Sequence, residues 1–507
     1  MKLKELLAGL VFTSNRPGRE NELSINGLAL DSRAIVDGNV FIALAGAKQH
    51  GLTHAVQAIN SGACAVIFDP AGNGKQLAAS INNHGVPMIA VDKLGLLVGE
   101  IAARFYGNPS HYIDVIGITG TNGKTSCSQF LAQSLDDCGI IGTLGWGAWG
   151  SLNKTVNTTP DALSVQRILA ALWQDKKQAV AMEVSSHGLE QGRVNGLSFK
   201  GAVFTNISRD HLDYHGTMEA YLDAKLALLA KPGLAFVVVN LDDAACDRII
   251  AATPDTAKVW GVSVDGKTLT SGETLFAKHV LHKAEGIEFD VYWRMECQQV
   301  TVPLYGDFNI ENVLLVLAVM LAMGVGFSEA AKRLALVKPV EGRMERFGGD
   351  GQPLVFVDYA HTPDALDKVL ASLRKHCRQA LWVVFGCGGN RDSGKRPLMG
   401  AAAERWADHL IVTDDNPRFE NSAAIIDEIL AGCRLDKVEV VRDREQAIRN
   451  AIARAANNDC IVIAGKGHED YQEIEGVRVP FSDRDIVIDA LQNSRIRIYP
   501  RRVTRSS

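Results

Sequence analysis

The stretch Gly117-Ile-Thr-Gly-Thr-Asn-Gly-Lys-Thr-Ser126 constrains the fold more than any other part of the chain, because an apolar run, Val115–Ile118, leads into it and a helix-like segment, Ser126–Leu135, leads out. Strand, glycine loop and helix in that order belong to a parallel α/β sheet. Glycines at 117, 120 and 123 let the backbone curl until its N–H groups point inward, as a phosphate requires. Lys124 supplies a cation for terminal phosphates, and the Thr125 hydroxyl suits Mg2+. Gly120, Thr121, Asn122, Gly123, Lys124, Thr125 and Ser126 are therefore the candidate ATP site. The pattern is GxxGxxGK[TS] rather than the commoner GxxxxGK[ST]; the competing reading is a glycine-rich turn with an incidental lysine.

At 507 residues the chain is too long for one core, and three domains are expected: 1–91, 92–338 and 339–507. A net charge of -5 without a long basic run argues against nucleic acid or an anionic membrane as partner. The nine cysteines include no CxxC pair, which fits reduced thiols and a cytoplasmic protein. Met1–Phe12 is interrupted by Glu5 and lacks a cleavage site, so it reads as an amphipathic helix rather than a signal peptide. Val313–Phe327 is apolar but shorter than the ~20 residues that cross a bilayer, and reads as a buried helix.

Residues 1–91 alternate strand and turn signals, with strands expected at 28–30, 40–44, 65–68 and 88–91. The middle part has apolar strands at 179–184, 202–207 and 234–239, then a β-rich stretch at 258–304 that reads as an inserted or edge sheet, closed by a helix from Asn309. From 339 onward the β/α alternation is clearest, with strands at 354–358, 380–385, 409–413, 438–441 and 460–464, the pattern of a Rossmann-like doubly wound sheet. Four polar loops follow those strands: 358–364, 386–392, 414–418 and 465–469. Ligands of open α/β sheets bind outside the carboxyl ends of the strands, so these loops mark a crevice. A basic tail from Arg495 to Arg505 is expected to fray.

Three residues stand out chemically. Glu183 ends a strand where a carboxylate can hold Mg2+ beside phosphates, or can simply sit in a surface turn. His211 follows another strand as a second possible metal ligand, although isolated histidines are commonly structural. Lys225 interrupts an apolar stripe of Met218, Tyr221 and Leu228 on the helix 217–230. Either its stem lies on apolar surface with the ammonium in water, or burial makes its amine neutral and nucleophilic.

Taken together, Asp31-Ser-Arg33, the phosphate loop, Asn157-Thr-Thr-Pro160, Glu183-Val-Ser-Ser-His187, Asp210-His-Leu-Asp213, Lys225, Gly306-Asp-Phe-Asn309, Glu341-Gly-Arg343, Asp358-Tyr-Ala-His361, Asp415-Asn-Pro-Arg418 and Gly465-Lys-Gly-His-Glu469 resemble the Mur ligases over essentially the whole chain. The resemblance implies ATP-dependent amide formation for peptidoglycan, with a small N-terminal α/β domain for the UDP moiety, a central phosphate-loop domain and a C-terminal domain for the incoming amino acid. It implies that Leu30, Ser32, Asn157, Thr158, Thr159, Ser185, Gln191 and Arg193 bind UDP-N-acetylmuramoyl-L-alanyl-D-glutamate. By the same likeness Asn309, Arg343 and Asp358 touch ATP, while Arg391, Asp415, Asn416, Pro417, Arg418, Gly465 and Glu469 hold meso-2,6-diaminopimelate. Lys225 would carry a CO2-derived carbamate and, with Thr125, Glu183 and His211, hold Mg2+; the catalytic set is then Lys124, Lys225, Glu183 and His211. The chain would act as a monomer without nucleic acid or membrane. Ligation of L-lysine, a folylpolyglutamate synthetase, a phosphate-loop kinase and an ATP-driven switch are the competing readings.

Overall fold

The computed structural model describes residues 1–10, 22–46, 48–283, 285–349, 351–377, 379–434 and 438–498, without the side chains of 494–498. Near the N-terminus β1 (Gly27–Ala29), β2 (Asn39–Ala43), β3 (Ala65–Phe68) and β4 (Met88–Ala90) form a parallel sheet in that order. The helix Leu94–Phe105 buries Leu94, Val98, Ile101 and Ala102 in the same core as Val40 and Ile67. The first helix is shorter than expected, Leu3–Leu6, and the rest of the expected segment beyond Leu10 lies outside the described residues.

The central sheet contains eleven strands: β5 (Asp114–Thr119), β6 (Cys138–Gly142), β7 (Gly145–Ala148), β8 (Ser151–Asn153), β9 (Ala179–Glu183), β10 (Gly201–Phe204), β11 (Phe236–Asn240), β12 (Lys258–Ser263), β13 (Glu273–Lys283), β14 (Gly286–Trp293) and β15 (Glu296–Val302). Their order is β15-β14-β13-β12-β11-β10-β5-β9-β6-β7-β8. The strands from β13 through β6 run parallel, and antiparallel hairpins extend both edges. The β-rich stretch is thus the continuation of one sheet. Successive side chains of a strand face opposite ways, so Ile116 and Ile118 enter one core with the helix Phe308–Ala322, while Val115 enters the other with the helix Ala162–Gln174. Both faces are covered, which explains the uninterrupted apolar runs. The apolar run at 313–327 is not one helix: it ends at Ala322, turns through Gly324 at φ +91°, and restarts at Phe327.

The C-terminal sheet orders β16 (Glu345–Gly348), β17 (Leu354–Asp358), β21 (Cys460–Ala464), β18 (Leu381–Phe385), β19 (His409–Val412) and β20 (Val438–Val440), parallel except for β16. Helices pack on both faces, as a doubly wound sheet requires. A hairpin of β22 (Tyr471–Ile474) and β23 (Val477–Pro480), invisible to the strand pattern, lies beside the loop after β19. The last helix runs on to Ile498, past the expected start of the frayed tail, and 499–507 lie outside the described residues. All nine cysteines are free thiols. Among the described residues no helix is long and apolar enough to cross a membrane.

Candidate active site

The phosphate loop leaves β5, beside which the strand order reverses, with β10 on one side and β9 on the other. Gly120 adopts φ +143° and Gly123 φ +85°, and a Cβ at these positions would meet Thr205 Oγ1 at 1.9 Å and Asn312 Oδ1 at 2.5 Å. Gly117 plays a different part from the one expected. It lies within β5, where a Cβ would press on the Phe199 ring at 2.9 Å, so it serves packing and not the loop's curl. The segment after β10 cradles the loop: Thr121 N–H donates to Asn206 O at 2.7 Å, Asn122 N–H to Asn206 Oδ1 at 3.0 Å, and Thr205 Oγ1 to Asn122 O at 2.6 Å. Lys124 Nζ donates to the carbonyls of Gly120 and Thr121, both at 2.8 Å. Burial lowers its pKa, against the pull of Glu183 and Asp210.

Glu183 is fully buried, which removes the surface-turn reading. Its Oε2 accepts from Thr125 Oγ1 and Thr143 Oγ1, both at 2.9 Å, and its Oε1 from Thr143 N at 3.0 Å. A buried carboxylate touching the phosphate-loop threonine is an oxygen donor set that fits Mg2+. Burial pushes the His211 pKa down to about 3 despite the neighbouring Asp210, so its ring stays neutral and able to ligate. Asp210 is held below the usual carboxylate range: burial opposes ionisation, but His361, His211 and Lys395 favour it more.

Lys225 is 1% exposed, so the snorkelling reading fails. Its Nζ donates to Gly120 O at 2.8 Å and sits 4.4 Å from the Tyr221 ring centre. Burial, reinforced by Lys124, drives its pKa well below that of an ordinary lysine. Met218, expected on the same apolar stripe, is exposed instead.

Two cavities meet here. The smaller, about 450 Å³, is bounded by the phosphate loop, Glu183, Arg343 and Asp358. Arg343 reaches across from the C-terminal part, its Nη2 donating to Thr125 Oγ1 at 3.2 Å and its guanidinium lying 4.1 Å over the Tyr359 ring. Asp358 accepts from the N–H groups of Met344 and Ala360, both at 2.7 Å, and burial raises its pKa against the opposing charge of Arg343. The larger cavity, about 1330 Å³, is lined by Arg391, Asp415, Asn416, Arg418, Gly465 and Glu469. Thr143, Thr158, Asp210, His361 and Arg391 line both.

Of the residues expected to bind the UDP-muramyl substrate, Asn157, Thr158, Thr159, Ser185 and Arg193 line the smaller cavity. Gln191 does not; its Oε1 instead orients Arg193, accepting from Nε at 3.0 Å and Nη2 at 2.6 Å. Leu30 and Ser32 stand apart after β1, and the Ser32 hydroxyl donates to Gln57 Oε1 at 3.0 Å. Asn309 is not in the cavity wall. It is buried one helical turn behind, bonding Tyr305 O at 2.7 Å and Asn312 Nδ2 at 2.9 Å, and Asn312 is the residue presented. Pro417 shapes its loop without lining the cavity. Sequence reading passed over Thr143, Asn312 and Tyr359 as site residues; the i, i+3 spacing of Asn309 and Asn312 was the one usable signal.

The chain belongs to the Mur ligase family. Family models match residues 24–106 (Mur ligase family, catalytic domain), 118–320 (Mur ligase middle domain) and 342–467 (Mur ligase, glutamate ligase domain). Within the family, a protein of Pseudomonas aeruginosa called UDP-N-acetylmuramoyl-L-alanyl-D-glutamate--2,6-diaminopimelate ligase is 48% identical over 92% of this chain and 95% of its own. One from Coxiella burnetii with the same name is 45% identical, over 91% and 94% respectively. A solved structure of that description is 34% identical with TM-score 0.67, covering 98% of this chain and 99% of the other. The folylpolyglutamate synthase of Mycobacterium tuberculosis shares the fold, with TM-score 0.59 at 19% identity over 73% of this chain and 92% of its own.

Proposed function

We propose that this ligase uses ATP to join meso-2,6-diaminopimelate to UDP-N-acetylmuramoyl-L-alanyl-D-glutamate. The observation that carries the reading is the shared wall of the two cavities, since a phosphate held at Lys124 and an amino acid held at Arg418 then approach one point beside Thr158 and His361. The name borne by relatives 45–48% identical supports the same substrates. The helix Leu94–Phe105 packs in the N-terminal core, which favours a first boundary after it rather than at 91, and the UDP-muramyl substrate would extend from that part to Thr158 and Arg193 in the middle one.

A carboxylate does not acylate an amine in water at useful rates, so its oxygen first attacks the γ-phosphorus of ATP, and ADP leaves. The loop N–H groups beyond Asn122, whose own N–H and that of Thr121 go to Asn206, would neutralise charge on the transferring group together with Lys124 and Arg343. The amine then attacks the acyl phosphate carbon, the C–O bond breaks, and inorganic phosphate departs with the amide formed. Thr125, Glu183, His211 and a carbamate on Lys225 would hold Mg2+, whose charge offsets that of the phosphates. What supports a ligand from Lys225 is its burial beside the phosphate loop, where its Nζ lies 2.8 Å from Gly120 O. Its neutral Nζ can form that ligand by attacking CO2: an N–C bond forms, a C=O pair moves to oxygen, and the proton passes to water.

Incubating the enzyme with ATP, the UDP-muramyl-dipeptide and equal diaminopimelate and L-lysine, and weighing the products by mass spectrometry, tests this reading. The diaminopimelate amide with ADP is expected to dominate. A lysine adduct would replace the amino acid, and a phosphorylated end product would replace the reaction class.

A further inference from the structure

Lys466 lies behind the wall of the larger cavity, completely buried, in the turn that follows β21. The turn is forced inward there. Gly465 and Gly467 adopt φ +115° and +53°, and a Cβ would meet Asp415 Oδ2 at 2.6 Å from the first and Gly342 O at 2.6 Å from the second. A buried ammonium must spend its N–H groups on acceptors. Lys466 Nζ donates to Asn416 Oδ1 and Glu469 Oε2, both at 3.0 Å, with Asp415 Oδ1 at 3.8 Å.

These bonds fix which way round Asn416 stands. Its Oδ1 receives two groups that can only donate, the Lys466 ammonium and the Glu473 N–H at 2.9 Å, so the amide cannot be flipped. The Asn416 NH2 must then face the other way, where one N–H goes to Glu469 Oε2 at 2.9 Å and the second is left for the cavity. Both donors to Glu469 converge on Oε2, which leaves Oε1 for a ligand. The pocket therefore has a donor edge, Asn416 N–H beside Arg418, and an acceptor edge, Glu469 Oε1 beside Asp415.

We propose that Lys466 is the positioning residue of the amino-acid pocket, setting Asn416 as a carboxylate donor and Glu469 as an ammonium acceptor so that the pocket reads one polarity of a zwitterionic amino acid. The inference rests on diaminopimelate being the amino acid bound. Without the ammonium, Asn416 Oδ1 keeps only the Glu473 N–H, the amide is held less firmly in place, and the Glu469 carboxylate shifts toward water.

The test uses the full-length enzyme with Lys466→Met, which keeps the stem, and Lys466→Gln, which keeps a donor without charge. Steady-state kinetics are measured for each substrate, with a melting curve for each variant. Loss of a hydrogen bond to a charged group corresponds to roughly a 10- to 100-fold change. Lys466→Met is expected to raise KM for diaminopimelate by about that factor and Lys466→Gln by less, while KM for ATP and for the UDP-muramyl-dipeptide stays within about twofold. An unchanged KM for diaminopimelate in a folded variant overturns the proposal. So does an equal rise for all three substrates, or failure of both variants to fold, since each makes Lys466 a support of the domain rather than of the pocket. If the wild type itself ignores diaminopimelate, the proposed substrate falls instead, and that result is read before either variant is made.

Discussion

Buried cations decide the chemistry at the residue scale. Lys225 sits under the phosphate loop with a carbonyl for a partner, a costly position for an ammonium and a comfortable one for a neutral amine or its carbamate. Lys225→Ala should cut turnover by roughly 100- to 1000-fold, the scale for removing one electrostatic stabiliser, and acetate should restore part of it by filling the vacated ligand position. Intact-protein mass spectrometry does not retain so labile a group, so the check is the rate against acetate concentration; an active alanine variant with no acetate response would contradict the assignment. Arg418 is less isolated than its sequence suggests. Its Nη1 donates to Gly389 O at 2.6 Å and its Nε lies 3.5 Å from Glu473 Oε2. Lysine, which lacks the far carboxylate of diaminopimelate, would not leave this guanidinium unpaired, so discrimination should fall short of the ~10,000-fold seen where a buried group is stranded. Arg418→Ala is expected to raise KM for diaminopimelate by about 100-fold while changing residual lysine use little, measured by competition between the two.

Elements explain why some site residues were legible and others were not. The phosphate loop announced itself because glycine spacing and Lys-Thr are local, and the strand-end loops at 358, 386, 414 and 465 could be grouped by a rule about carboxyl ends of parallel strands. The hairpins Gly142–Asn153 and 471–480 carry no such alternation, yet the first brings Thr143 to Glu183, and the second supplies Glu473 to Arg418 and Asn416. The strands of each hairpin pair locally, but Glu183, Arg418 and Asn416, which they reach, are distant in sequence, so no local pattern encodes the contact. Likewise the helix from Phe308 was visible as an apolar run, but not which of its polar residues would face the cavity. Glu311 does, with Oε2 accepting from Asn240 Nδ2 at 2.8 Å, and burial raises its pKa from 4.5 to about 7. An acid with a raised folded pKa contributes stability fully present below 4.5 and lost as pH rises through 7. Glu311→Gln, which cannot ionise, should match wild type below pH 4.5 and exceed it by about 3 kcal/mol at pH 8, read from thermal unfolding across that range. A constant difference would show that the carboxyl does not titrate there.

Across the whole molecule, the site exists only because two sheets face each other. Arg209 pairs with Asp392 at 3.0 Å, Lys154 with Asp470 at 2.9 Å, and Asn122 donates to Asp364 at 3.4 Å. At the far side Asp307 takes His282 Nε2 at 2.5 Å from β13 and both Lys375 and Ser372 from the helix Pro363–His376, fastening the joint next to Phe308 in the cavity wall. On the proposed mechanism, holding the two sheets together would keep water from a reactive acyl phosphate, which hydrolysis would otherwise waste. That intermediate is the central claim, and oxygen transfer tests it most directly. With the D-glutamate γ-carboxylate labelled with 18O, mass spectrometry of the released phosphate should find one labelled oxygen for each amide formed, because the carboxylate oxygen attacks phosphorus and leaves with it. Unlabelled phosphate accompanying amide formation would contradict the account.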